Sequence, residues 1–144
     1  MRIYLDHNAA APLLPESAEA IAKAMAFCGN PSSIHGHGRT VRRIIEDVRA
    51  TLSECTGARA EDIAFTASGS EACQLMLNVH SKSRILVSAT EHAAILEAAP
   101  TAEILPVLPN GLLDLAALES ALSNDASNAI VAVMLANNET GAIQ

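Results

Sequence analysis

The run Ile130-Val131-Ala132-Val133-Met134-Leu135 gives the clearest evidence of the fold class. Its apolar residues are continuous rather than alternating, which is typical of a strand that is buried on both faces. Three shorter apolar runs precede it, at residues 63–66, 85–88 and 104–107, and each predicts one further strand. Helices are predicted between the strands, at residues 70–80, 92–99 and 114–123. Because strands and helices alternate, we predict an α/β fold with a mostly parallel sheet and flanking helices.

Two further helices are predicted before the first strand. Pro15 begins one that runs to about residue 27, and its apolar residues recur at helical spacing, which predicts that one face is buried. The second occupies about residues 38–56 and ends at Gly57, which is placed to adopt the left-handed conformation. Pro106 lacks an amide for sheet pairing, so its strand is predicted to lie at an edge or to be distorted there.

The composition excludes several classes of protein. Half of the 144 residues are hydrophobic, which excludes intrinsic disorder. Nine Lys and Arg stand against sixteen Asp and Glu, and 2% of residues are aromatic, so the chain lacks the clustered cations and stacking rings that nucleic-acid binding requires. No apolar run approaches the roughly 20 residues that cross a bilayer, and no signal peptide is recognisable. We therefore expect no membrane partner and a cytoplasmic location.

Residues that could bind a metal or form disulfides are dispersed along the chain. Cys28, Cys55 and Cys73 are odd in number and far apart, so we interpret them as buried thiols that pack as small hydrophobic residues. His35 and His37 share a glycine-rich loop without a third ligand nearby. We predict that these histidines are solvated and that the chain has no metal site.

Polar residues follow three of the predicted strands, at the edge where open parallel sheets bind ligands. The segment Thr66-Ala67-Ser68-Gly69-Ser70-Glu71 suits a phosphate, although its serines also suit an ordinary helix cap. His92 either stacks on a ligand and moves protons, or is incidental to a capped helix start. Asn137, Asn138 and Glu139 require hydrogen-bond partners, which either a ligand or a neighbouring loop would supply.

Six segments occur in a fixed order along the chain: Ile3-Tyr4-Leu5-Asp6-His7-Asn8-Ala9, Gly29-Asn30-Pro31-Ser32-Ser33 with His35, Phe65-Thr66-Ala67-Ser68-Gly69-Ser70-Glu71-Ala72, Thr90-Glu91-His92, Asn110-Gly111 with Asp114-Leu115, and Asn137-Asn138-Glu139-Thr140-Gly141 with Gln144. In order and spacing they resemble the cysteine desulfurases, members of the class V group of pyridoxal phosphate (PLP) enzymes. The resemblance covers essentially the whole chain. It implies the fold of PLP-dependent transferases of type I, with residues 1–14 as an N-terminal arm. Residues 15–144 would be the N-terminal part of an incomplete PLP-binding large domain, which continues beyond the chain end in the family.

The resemblance also implies roles for individual residues. Gly69 and Ser70 would hold the PLP phosphate at the start of a helix. His92 would lie over the pyridine ring and act as a catalytic residue in proton transfers, and Asn138 would contact the cofactor and the substrate carboxylate. The implied reaction converts L-cysteine to L-alanine and transfers the sulfur to an enzyme cysteine.

The chain also departs from the family pattern. Ala10-Ala11 replaces Thr-Thr and Gln74 replaces Asn, which are mild changes. In the family, the Schiff-base lysine, the cofactor-pairing aspartate, the carboxylate-binding arginine and the sulfur-accepting cysteine all lie farther downstream. Neither Lys23 nor Lys82 matches that lysine, so we expect residues 1–144 alone to be inactive and to require a C-terminal complementary segment.

The resemblance further implies a homodimer and allows for a sulfur-acceptor protein as a partner. Two alternative functions stay open. One is a non-catalytic α/β module or assembly partner that has lost the catalytic half. The other is a selenocysteine lyase or another class V PLP lyase or aminotransferase.

Overall fold

The structure is a computed structural model that describes residues 3–79, 84–123, 126 and 128–144. The chain forms two compact units, Met1–Phe65 and Thr66–Gln144. Across the described residues, none of the helices has both the length and the hydropathy of a membrane span.

The first unit consists of two helices followed by a short 3-10 turn. These elements are α1 (Pro15–Met25), α2 (Gly36–Thr56) and the turn Ala60–Asp62. As predicted, Pro15 lies in the first turn of α1, and Gly57 ends α2 with a φ of 74°. The predicted buried face of α1 is wrong, because Ile21 is 50% exposed and Met25 is 81% exposed. Spacing identifies a helix, but burial also requires a packing partner, which the spacing along one helix does not reveal.

The apolar run at residues 63–66 forms no strand in the described structure, so this prediction is wrong. The backbone of Ile63 is extended, with φ −93° and ψ 119°, but its carbonyl accepts a hydrogen bond from the side chain of Arg49 in α2. The Arg49 guanidinium also lies over the ring of Phe65, 4.8 Å from the ring centroid. The run is therefore engaged by a helix side chain instead of by a neighbouring strand.

The second unit is built on a parallel three-stranded sheet with the strand order β2-β1-β3. The strands are β1 (Arg84–Ser88), β2 (Glu103–Leu105) and β3 (Ala129–Ala132). Val87 of β1 is in register with Ile104 on one side and with Ala132 on the other. The helices are α3 (Gly69–Asn78), α4 (Ala93–Ala98) and α5 (Leu115–Ser123). The predicted α/β class, with a parallel sheet and flanking helices, is confirmed.

The core of the second unit lies around the central strand, β1. Leu86 and Val87 are fully buried, and Leu86 clusters with Leu105 and Leu113. Side chains of α5 and β3 pack against this cluster: Leu118, Ala121, Leu122 and Ala129. Burial of apolar area here supplies the main stabilisation of the sheet.

The two flanking strands differ from the prediction in burial and length. Ile104 in β2 is 57% exposed and Val131 in β3 is 38% exposed, so only β1 is buried as the apolar runs predicted. The apolar run continues to Leu135, but β3 ends at Ala132 and the residues after it form a loop. β2 is an edge strand and ends before Pro106, as the missing amide of that proline predicts.

Candidate functional site

The first candidate segment, at the start of α3, is a helix cap that leaves two amides unpaired. Ser68 is the N-cap, and its hydroxyl accepts a hydrogen bond of 3.2 Å from the Glu71 amide. The Glu71 carboxylate in turn accepts a hydrogen bond of 2.6 Å from the amide of Ala67, the residue before the N-cap. Among the described residues, the amides of Gly69 and Ser70 have no partner. Capping therefore occupies Ser68 and leaves free the two positions suited to an anion.

A groove of about 430 Å³ lies between α3 and α4. Ser70 and Gln74 line it from α3, and Ala94 and Glu97 line it from α4. Its volume falls within the range of small-molecule sites, and its lining is largely polar. The start of α3 thus borders a space that is large enough for a ligand.

His92 lies after β1 and is the N-cap of α4, one position before the first turn in which the sequence analysis placed it. Its Nδ1 atom accepts a hydrogen bond of 3.1 Å from the Ala94 amide. Because Nδ1 is an acceptor, the neutral ring carries its proton on Nε2. His92 therefore caps a helix with one ring nitrogen and has the other available for chemistry.

The loop after β3 folds around Asn137, which is 6% exposed. Its Oδ1 atom accepts hydrogen bonds from the amides of Glu139, at 2.9 Å, and Thr140, at 2.7 Å. Its own backbone amide donates to the carbonyl of Ala142 at 2.8 Å. The loop itself therefore supplies partners to the first asparagine, while Asn138 beside it is exposed.

His92 and Asn138 line one small cavity of about 130 Å³ between the loops that follow β1 and β3. Ser70 does not line this cavity but lines the groove between α3 and α4. The start of α4 contributes to both spaces, with Ala93 in the cavity and Ala94 in the groove. The structure thus brings two of the predicted site residues together and places Ser70 in a space that adjoins theirs.

The sequence analysis named Glu91 and Asn137 but did not identify the hydrogen bonds by which they join these two loops. The side-chain amide of Asn137 donates a hydrogen bond of 2.9 Å to the carbonyl of Thr90. The carboxylate of Glu91 accepts a hydrogen bond from the amide of Met134. One feature of the sequence could have indicated these bonds: Glu91 and Asn137 are polar, and each directly precedes a predicted site residue, His92 or Asn138.

The remaining candidates do not form a second site. His35 is the N-cap of α2, with Nδ1 accepting from the Gly38 amide at 3.4 Å. In the described ranges, no group of three or more His, Cys, Asp or Glu could hold a metal ion. The prediction of buried thiols is wrong for Cys28 and Cys55, which are exposed, and Cys73 is half-buried. Both exposed cysteines lie in the first unit, where the described helices bury few side chains.

Gln144 braces a turn of the second unit that carries the Asn110-Gly111 segment. Its Oε1 atom accepts a hydrogen bond of 2.8 Å from the Leu113 amide, and its Nε2 atom donates one of 3.0 Å to the Gly111 carbonyl. Gly111 has a φ of 83°, a conformation that glycine adopts without strain. These two motif segments are therefore connected in the structure although they lie far apart in sequence.

Comparison with known proteins gives consistent matches over almost the whole chain. Residues 3–144 match the family described as Aminotransferase class-V. The chain is 37% identical to a cysteine desulfurase of Frankia sp. (strain EuIK1) over 163 aligned residues, which cover 98% of this chain and 38% of that protein. It is 35% identical to the IscS-like cysteine desulfurase of Mycobacterium tuberculosis, over 97% of this chain and 40% of that protein.

Solved structures show the same relationship. A NifS-like protein from Rickettsia africae ESF-5 matches with a TM-score of 0.88 and 36% identity, over 99% of this chain and 42% of its own. The chain spans about 40% of the length of the curated relatives it matches and is similar to an N-terminal portion of them. The expected resemblance to cysteine desulfurases is thereby confirmed. The chain belongs to the class-V aminotransferase family.

Proposed function

We propose that this chain is the N-terminal part of a PLP-dependent cysteine desulfurase. The whole enzyme would convert L-cysteine to L-alanine and transfer the sulfur to an enzyme cysteine. The observation that carries this proposal is that His92 and Asn138, far apart in sequence, line one cavity beside the groove at the start of α3.

The residues around these two spaces fit the chemistry of PLP. Its phosphate requires amide donors, and the unpaired amides of Gly69 and Ser70 offer them at the positive end of the α3 dipole. Its ring requires a flat polarisable neighbour and polar groups at its edge, which an imidazole and a carboxamide provide. When bound, PLP supplies the electron sink for breaking bonds at the substrate α-carbon.

Each residue of this chain then has a defined task. Gly69 and Ser70 bind the phosphate and orient the cofactor. His92 holds or moves a proton at Nε2, because Nδ1 is engaged by the Ala94 amide. Asn138 orients polar groups of the cofactor and substrate through its carboxamide, which offers both donors and an acceptor.

The proposal assigns the rest of the machinery to sequence outside residues 1–144. The Schiff-base lysine and the acceptor cysteine belong there, in keeping with relatives of which this chain spans about 40%. Residues 1–144 alone are accordingly expected to be inactive. The proposal also includes a homodimer in the cytoplasm, an N-terminal arm at residues 1–14 and a partial large domain at residues 15–144.

The proposal is tested by combining the chain with its C-terminal complementary segment, PLP and L-cysteine. We expect a Schiff-base absorbance band and formation of L-alanine, neither of which the chain alone should give. A folded complement that gives neither result would contradict the proposal. Activity on selenocysteine but not on cysteine would instead support a selenocysteine lyase.

Replacing Ser70 by alanine tests the assigned phosphate site. In the complemented protein, we expect Ser70→Ala to weaken PLP binding about tenfold, because the Ser70 hydroxyl, which lines the groove, can also donate a hydrogen bond to the charged phosphate, whereas alanine keeps only the backbone amide. The control is Ser120→Ala, on an exposed part of α5, which should leave PLP binding unchanged. PLP binding is measured by titration of the absorbance band. Equal affinities in the two variants would contradict a contact between the Ser70 hydroxyl and the phosphate.

A further inference from the structure

The loops that carry His92 and Asn138 are joined by two hydrogen bonds. Each bond is made by the residue immediately before a site residue, Glu91 in one loop and Asn137 in the other. Each bond also ends on the backbone of the opposite loop. In each loop, the residue directly before the site residue is therefore hydrogen-bonded to the other loop.

Asn137 is the more deeply buried of the two joining residues, at 6% exposed. Its Nδ2 atom donates to the carbonyl of Thr90 at 2.9 Å, while Oδ1 accepts from the amides of Glu139 and Thr140. A buried carboxamide with these partners resists movement, because any shift leaves a polar atom unsatisfied. Asn137 thus fixes both the shape of its own loop and the distance to the loop after β1.

Glu91 makes the second connection, from the loop after β1 to the first residues beyond β3. Its carboxylate accepts the amide of Met134, two residues after the end of β3. A hydrogen bond to an ionised acceptor is stronger than one between neutral groups. Because β1 and β3 are neighbours in the sheet, this bond joins the loops where they leave it.

We propose that Glu91 and Asn137 are positioning residues that set the separation of His92 and Asn138. The sheet fixes where the two loops begin, but the pairing of β1 with β3 ends at Val87 and Ala132. Beyond that point, the bonds from Glu91 and Asn137 connect the loops. What the positioned pair does rests on the proposed function, whereas its positioning can be tested without a cofactor.

Asn137→Asp separates this role from a purely local one. The aspartate retains an oxygen to accept the amides of Glu139 and Thr140, but it has no proton to donate to the Thr90 carbonyl. Asn110→Asp is the matched control, because Asn110 also accepts an amide within its own turn, that of Leu112 at 3.2 Å. Both variants add one negative charge to an asparagine-containing loop.

The first measurement uses the 144-residue chain and nuclear magnetic resonance. We expect Asn137→Asp to shift the His92 ring signals while the Glu139 and Thr140 amides remain protected from exchange. Glu91→Ala should accelerate exchange of the Met134 amide about tenfold or more, and Glu91→Gln should restore it, since glutamine keeps the acceptor oxygen. Unchanged His92 signals in Asn137→Asp, or Met134 exchange that is equal in all three proteins, would overturn the inference.

The second measurement uses the complemented protein with PLP and L-cysteine. We expect Asn137→Asp to lower kcat about tenfold to a hundredfold at full PLP occupancy, because displaced catalytic groups slow the reaction. Asn110→Asp should retain kcat. A loss of activity that only follows the loss of bound PLP or of folded protein would overturn the inference. If the unmodified protein itself forms no alanine, the proposed function fails, and the magnetic resonance result still decides the positioning role.

Discussion

Gly38 is the residue of the first unit at which a side chain is least tolerable. It is buried in α2, and a Cβ atom built on it would lie 2.6 Å from the carbonyl oxygen of Asn30 and 2.7 Å from Cβ of Ser33. The glycine therefore lets the loop before α2 approach the helix backbone closely. We expect Gly38→Ala to destabilise the chain by about 1–3 kcal/mol, the usual effect of forcing atoms into a packed position. Denaturant unfolding measures this change.

Gly36→Ala is the control for this substitution. Gly36 begins the same helix, and a Cβ atom there would meet nothing within 4 Å. Alanine is a better helix former than glycine, so Gly36→Ala should be neutral or stabilising by up to about 1 kcal/mol. If the two variants unfold at the same denaturant concentration, close packing at Gly38 is not what the glycine provides.

His92 and Asn137 show that capping and binding interpretations of one residue are not exclusive. His92 caps α4 through Nδ1, and the same bond determines which ring nitrogen carries the proton. Asn137 satisfies its own loop through Oδ1 and reaches the opposite loop through Nδ2. In His92, the hydrogen bond at Nδ1 leaves Nε2 to carry the proton. In Asn137, the hydrogen bonds at Oδ1 fix the shape of the loop that also carries Asn138.

An ion pair joins two strands of the second unit, and we expect it to make their stability depend on pH. Arg84 of β1 binds Glu103 of β2 through two contacts, of 2.5 and 2.6 Å. The hydrogen bond from Arg84 lowers the pKa of Glu103 from its usual value of 4.5. A lowered pKa in the folded state stabilises the protein above the unfolded-state pKa, and this stabilisation disappears as the pH falls through the folded-state value. We expect Glu103→Gln to lower the thermal midpoint at about pH 7, with the difference shrinking as the pH falls through the acidic range in which the Glu103 carboxylate becomes protonated.

Glu19→Gln is the matched control for this pair. Glu19 lies 3.9 Å from Lys23 in α1, and both side chains are more than 70% exposed. Such pairs contribute little, because water and salt screen them. The thermal midpoint of Glu19→Gln should follow that of the unmodified chain across the same pH range. A Glu103→Gln difference that persists under acidic conditions would assign its effect to packing instead of charge.

Local signals predicted the elements well where the determining interaction lies within a few residues. Pro15 and Gly57 each mark a helix end that the structure confirms, and Asp114 caps the start of α5 by accepting the amides of Ala116 and Ala117. The apolar run at residues 63–66 was predicted incorrectly because its partner, Arg49, lies 14 residues away from Ile63 along the chain. Sequence patterns that span about four residues do not reveal a contact between residues 14 positions apart.

The candidate site was predictable to a similar extent. Polar residues at strand ends indicated His92 and Asn138, because parallel strands place such residues at one edge of a sheet. The bonds from Glu91 to Met134 and from Asn137 to Thr90 were not predictable, since they span 43 and 47 residues. Composition reveals that such polar groups need partners, but only the fold identifies which partners they have.

Burial is distributed unevenly between the two units of the chain. Within the part of the chain that the structure describes, the buried apolar side chains all belong to the second unit, and Leu86 and Val87 of β1 are its most deeply buried ones. Among the described residues of the first unit, Gly38 is the only buried one. The 21 residues of α2 therefore rely on helix hydrogen bonds and capping more than on removal of apolar area from water.

Native-state amide exchange of the 144-residue chain should follow this difference. We expect the amides of β1 to exchange at least about tenfold more slowly than those in the middle of α2, because local opening is easiest where little apolar surface is buried. Both elements have regular backbone hydrogen bonds, so hydrogen bonding by itself does not separate their rates. Exchange is followed residue by residue, under conditions in which it reports the opening equilibrium. If α2 and β1 amides were equally protected, the two units would unfold together, and burial within each unit would not determine its stability.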